Sequence, residues 1–187
     1  DAAIHTITEL KEKQSSNYAL LSTLINIYLK AYKLDEANKL LVESRQSKYS
    51  LTADYFYYFG QFFELKQNAT LAMKNYEQAL KIDPINDLIL FKEAQIYFKA
   101  RQYSEAKKRL SDAIFLDPKN VEYLALYAQI LADHDNADTA IGYLRDLMTE
   151  IGEDPKLLST ITALYFKSGQ LKEFKYYYKK IQALPKK

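Results

Sequence analysis

The sequence predicts an all-α array of helix pairs, and three observations predict it. An alanine column, Ala3, Ala37, Ala72, Ala106 and Ala140, with Phe174 at the sixth place, recurs at spacings of 34, 35, 34, 34 and 34 residues. Four places after each stands a larger apolar residue: Ile7, Leu41, Tyr76, Leu110, Leu144 and Tyr178. Glycine and proline number four each, too few for a turn-rich all-β chain.

Offsets of four and seven fall on one face of a helix. A third column seven places after the alanines, Leu10, Ser44, Ala79, Ala113, Leu147 and Ile181, completes that face. These columns belong to the second helix of each period. The first helix carries Tyr28, Phe63, Tyr97, Leu131 and Tyr165, nine places before the alanines. Leu24, Phe59, Glu93, Tyr127 and Ile161 precede those by four, each followed by a compact or modest residue: Ile25, Gly60, Ala94, Ala128 and Thr162. Where two antiparallel helices cross closely, one must be small so that the other's bulk can seat.

Taken in order, residues 1–17 match only the second half of a period, which suggests an excerpt of a longer protein. Residues 18–52 form the first complete unit, one residue longer than the next, with Lys48 and Tyr49 where Asp-Pro is expected. Residues 53–86 and 87–120 end in Asp83-Pro84 and Asp117-Pro118, suited to a turn that stops the second helix. Residues 121–154 lack that proline, but Pro155 suits the start of the next helix. Residues 155–187 depart at Phe174, which implies a more open helix pair or an atypical terminal unit. No linker or low-complexity segment divides the run, so one array over residues 1–187 is expected.

The clearest copy, residues 87–120, is anchored by Leu90, Ala94, Tyr97, Tyr103, Ala106, Leu110, Ala113 and Pro118. Its layout resembles the tetratricopeptide repeat, a 34-residue helix–turn–helix with small, aromatic, alanine and proline positions at set offsets. The resemblance covers essentially the entire chain. It implies a right-handed superhelical solenoid of antiparallel helix pairs, whose first helices line a concave face that binds peptides or partner helices. On that pattern Asn26, Tyr57, Tyr58, Gln61, Leu88, Phe91, Lys92, Gln95, Phe98 and Gln129 are the expected partner-binding residues.

Two features of that set stand out. Asn26, Gln61, Gln95 and Gln129 form an amide column, able to donate to and accept from a peptide backbone. The competing reading is that a polar residue is simply common at an exposed place. The stretch from Tyr55 to Phe63 holds seven aromatics. Packing accounts for Phe56, Phe59, Phe62 and Phe63, whereas the repeat turns Tyr57 and Tyr58 toward the groove beside Phe91 and Phe98. Burial of the tyrosines by neighbouring side chains is the alternative. Of the family's two-carboxylate clamp only Asn26 and Lys92 remain; Ser22, Tyr58 and Leu88 hold other clamp places, so binding of chaperone tails is not expected.

Other chemistry is poorly served. There is no cysteine, and His5 and His134 lack metal-ligand spacing. Asp133, His134, Asp135 and Asp138 read as a polar turn and helix start rather than a cation site. No metal, cofactor or catalytic residue is expected. A formal charge of +2 gives no general attraction for nucleic acid, and no run of about 18 apolar residues spans a bilayer. The expected function is a non-catalytic interaction scaffold for a protein or peptide partner within a larger assembly. The alternative is a substrate-recruiting region of a larger enzyme such as a glycosyltransferase or peptidase.

Charge is unevenly placed. Residues 121–154 carry a net −7 and residues 155–187 a net +7. Neutralisation within the chain is the favoured reading. Head-to-tail self-association through Lys172, Lys175, Tyr176, Tyr177 and Lys179 is the alternative.

Overall fold

The computed structural model describes residues 18–185, so the expected half repeat, with Ala3, His5, Ile7 and Leu10, lies outside the described residues. The described residues form ten α-helices and no strand. They are α1 Tyr18–Lys30, α2 Leu34–Glu43, α3 Ala53–Leu65, α4 Ala69–Ile82, α5 Asp87–Lys99, α6 Tyr103–Leu116, α7 Val121–His134, α8 Ala137–Ile151, α9 Pro155–Lys167 and α10 Leu171–Gln182. The chain divides into two compact units, residues 1–89 and 90–187, with the boundary inside α5.

The turn within a pair is built the same way four times. Tyr32, Gln67, Arg101 and Gly169 take positive φ of 55°, 57°, 59° and 75°. In each case the next N–H reaches back five residues, as in Lys33 to the Tyr28 carbonyl and Gln102 to the Tyr97 carbonyl. This left-handed C-terminal cap satisfies the orphan carbonyls at the end of the first helix. Three of the four residues are not glycine, although glycine alone adopts this conformation without steric cost.

Turns between pairs follow a second plan. After α4 the Asn86 amide donates to Asp83 at 2.8 Å, and its oxygen accepts the Ile89 N–H at 3.2 Å. After α6 Asn120 repeats this with Asp117 at 3.0 Å and the Glu122 N–H at 3.2 Å. The asparagine therefore closes one turn and caps the following helix. Pro155 opens α9, where Asp154 accepts the Lys156 N–H at 2.7 Å.

In the first unit α1 packs on α2 and α3, and α3 on α4. Its core holds Leu24, Ile25, Leu29, Ala37, Leu40, Leu41, Tyr49, Tyr55 and Phe62. Ala37 and Ala72 are 0% exposed, as are Ala106 and Ala140 in the second unit, so the alanine column marks the crossings the sequence assigns to it. Gly60 shows how tight one crossing is: a Cβ there would lie 2.3 Å from the Tyr76 ring.

The second unit pairs α7 with α8 and α9 with α10, over a core including Leu124, Ala128, Leu144, Leu157 and Ile161. Between α5 and α6, Glu93 is fully buried and pairs with Arg109 Nε at 2.8 Å. A carboxylate thus occupies a column that is apolar in the other pairs, ion-paired with a guanidinium. The last pair differs. No residue of α10 is buried, and Tyr178 is 46% exposed.

Candidate functional site

Each first helix presents its expected site residues differently, and the two units are taken separately. In the first unit Asn26, Tyr57, Tyr58 and Gln61 are half-buried, and Leu88 is 41% exposed. Tyr57 and Tyr58 pack edge to face at 5.2 Å, and the Tyr57 ring also lies 6.1 Å from Tyr76. Gln61 Nε2 donates to the Tyr57 hydroxyl at 2.5 Å. Burial raises the pKa of both tyrosines, with nearby carboxylates adding to the effect. The phenols are therefore neutral hydrogen-bonding groups set on a partly covered aromatic ledge.

Ser22, one of the clamp places, is turned inward instead. Its hydroxyl lies 3.0 Å from the Tyr49 hydroxyl and donates to Asp54 at 3.1 Å. Tyr49 is 0% exposed, stacked on Tyr18 and edge-on to Tyr55. The residue that replaces the usual turn proline has become a core anchor.

In the second unit Lys92, Gln95 and Phe98 are half-buried and Gln129 is exposed. Phe91 departs from the expected set: it is 8% exposed, with its ring 4.6 Å from that of Tyr123. Its aromatic surface is already largely covered inside the unit. Phe98 packs on Tyr103 at 6.0 Å, and Tyr103 meets the His134 ring at 5.9 Å. The amide positions and the Tyr57–Tyr58 ledge thus keep part of their surface open on the first helices, as do Leu88 and Phe166.

The opposed charges meet inside the second unit. Lys156 pairs with Glu122 and Lys167 with Asp133, both at 2.9 Å, and Gln170 donates to Asp138 at 3.0 Å. Lys180 pairs with Glu153 while lying over the Tyr176 and Tyr177 rings at 5.0 and 5.9 Å. Tyr177 stacks on Tyr165 at 5.3 Å, so it serves the fold of the last pair. Lys172, Lys175, Tyr176 and Lys179 are exposed. Among the described residues no three acidic or histidine side chains are placed to hold a metal ion, and no helix is long and apolar enough to cross a membrane.

Sequence reasoning missed one lined surface. Val42, Arg45, Ser50, Tyr55, Phe56, Phe59, Phe63 and Asn75 enclose a cleft of about 520 Å³ in the first unit. Periodicity assigns the three phenylalanines to packing, and they are indeed half-buried. The usable signal was the altered stretch at Lys48 and Tyr49, which changes how α2 leads into α3.

Residues 66–130 match a family model described as Tetratricopeptide repeat. The chain carries tetratricopeptide repeats. Human Tetratricopeptide repeat protein 6 is 35% identical over 79 residues, which is 42% of this chain and 15% of that protein. The bovine BBSome complex member BBS4 is 22% identical over 166 residues, 88% of this chain and 31% of that protein. The chain thus spans less than a third of either relative. A solved tetratricopeptide repeat protein from Parabacteroides merdae superposes with a TM-score of 0.79 at 19% identity, over 99% of this chain and 73% of that one. The tetratricopeptide fold accordingly extends beyond the residues the family model matches.

Proposed function

We propose that these repeats hold a peptide or helix of a partner protein on the outward faces of their first helices, within a larger assembly. The carrying observation is the amide column. Asn26, Gln61, Gln95 and Gln129 stand at one repeat position in four first helices, and none is buried. Two such amides in each unit, Asn26 with Gln61 and Gln95 with Gln129, both donate and accept as a peptide backbone requires, and the Tyr57–Tyr58 ledge supplies apolar area with polar tips in the first unit. Membership of BBS4 in a complex, as its name states, supports the assembly part of the reading.

The test is affinity capture from the native source, with a quantitative comparison of wild type and variants. Gln61→Ala with Tyr58→Ala addresses the first unit, and Gln95→Ala with Gln129→Ala the second. Helical content by circular dichroism verifies that each pair of substitutions leaves the fold intact. A partner recovered by wild type and depleted at least about tenfold by one pair supports the reading. Equal recovery by all forms removes it.

A further inference from the structure

The structure carries a second lined surface, on the opposite face of α3 from the amide and tyrosines. Tyr57, Tyr58 and Gln61 fall on one side of that helix by the 3.6-residue period, and Tyr55, Phe56, Phe59 and Phe63 on the other. These four rings form one wall of the cleft. Val42 and Arg45 come from the end of α2 and the turn after it, Ser50 from the same connection, and Asn75 from α4.

The cleft follows from a local change in sequence. Where the next two pairs are followed by Asp-Pro and a capping asparagine, residues 44–51 fold as two 3-10 turns, Ser44–Gln46 and Lys48–Leu51. Ser47 accepts the Tyr49 N–H and Thr52 accepts the Tyr55 N–H, so the connection is capped at both steps. Tyr49 is drawn into the core, while Val42 and Leu51 stay 55% and 73% exposed. Val42, this open and lining the cleft with the half-buried phenylalanine rings, marks a surface that gains from being covered.

Charge decides what covers it. Among the described residues the lining holds one ionic side chain, Arg45, and no carboxylate. Arg45 is exposed and makes no ion pair among the described residues. Its field reaches Tyr55, where it opposes the upward pull that burial exerts on the phenol. An apolar cleft with one uncompensated guanidinium at its rim is complementary to an apolar side chain flanked by carboxylates. The volume is within the range of formed ligand sites.

The geometry points to this cleft as a docking site for a short acidic peptide segment of a partner protein, seating one aromatic or leucine side chain against Phe56, Phe59 and Phe63 and a carboxylate on Arg45. This site shares no residue with the amide face. It stands whether or not that face binds anything.

Two fluorescein-labelled synthetic peptides test it by anisotropy: Glu-Phe-Glu-Leu-Glu and Lys-Phe-Lys-Leu-Lys. Wild type is expected to bind the acidic peptide at least about tenfold more tightly than the basic one. Arg45→Glu should reverse that order, and Val42→Glu should weaken the acidic peptide at least about fivefold. Both positions are exposed, so neither change perturbs the core. Gln61→Ala should leave the acidic peptide's affinity unchanged. Three results overturn the proposal: no preference for the acidic peptide, indifference to Arg45→Glu, or loss with Gln61→Ala equal to that with Arg45→Glu. A wild-type dimer in sedimentation that Val42→Glu dissociates would also overturn it, by assigning the cleft to a second copy.

Discussion

Tyr76 and Tyr178 hold the same place in two helix pairs, yet Tyr76 is 0% exposed and Tyr178 is 46% exposed. The difference lies in what faces them. Opposite Tyr76 stands Gly60, which leaves the ring its space, and Ala72 one turn earlier is fully buried. At the matching places the last pair has Thr162 and Phe174. Phe174 stacks on Tyr178 at 5.5 Å and lies 5.3 Å from Phe166, itself 64% exposed, so these rings run along the outside of the pair. One large residue closes a crossing when its neighbours are small and sits at the surface when they are not.

The largest way to break this comparison is to give Gly60 a side chain. Gly60→Ala should destabilise the chain by about 3 kcal/mol in urea unfolding, because the added methyl meets a packed ring and not a flexible tip. That loss outweighs the roughly 1 kcal/mol of helix propensity gained. Ala106→Leu, at a fully buried position, should cost about 2 kcal/mol in the same measurement.

Alkali should act on the closed pair next. Tyr76 and Tyr57 have pKa values raised above the ordinary tyrosine range, chiefly by burial, so the fold favours their neutral forms. Unfolded tyrosines ionise near about pH 10. Stability is therefore whole below that pH and falls as pH rises beyond it. In the second unit burial pushes Tyr143 up to about 12, which sets the loss from that residue between about pH 10 and 12. Urea midpoints measured from pH 8 to 12 should decline only above about 10.

Smaller effects belong to the open pair and the turns. Phe174→Ala should cost less than about 1 kcal/mol, since its ring is half-buried among exposed neighbours. Gln67→Gly should raise stability by about 0.5 kcal/mol, relieving a left-handed residue with φ of 57°. A thermal scan detects both.

These contrasts also separate what was legible from what was not. The alanine register and the helix pairs could be read because one face of each helix repeats its small and large residues every 34 or so positions. The open last pair followed from Phe174 alone. The Asp-Pro turns were visible, but the asparagine that ties them, Asn86 or Asn120, was not singled out. The burial of Phe91 could not be read, because its ring partner, Tyr123, lies in the next pair, where side-chain direction decides contact and periodicity cannot. The cleft beside Arg45 depends on how residues 44–51 fold, and the helix-face columns cover only Ser44 of that stretch.

The most direct test of size pairing is a double-mutant cycle on Gly60 and Tyr76. Tyr76→Leu supplies the residue found at Leu110 and Leu144, and Gly60→Ala the one found at Ala94 and Ala128. The combined variant should recover at least about 1.5 kcal/mol relative to the sum of the single losses, because the smaller side chain clears the methyl. Strictly additive losses would contradict the account.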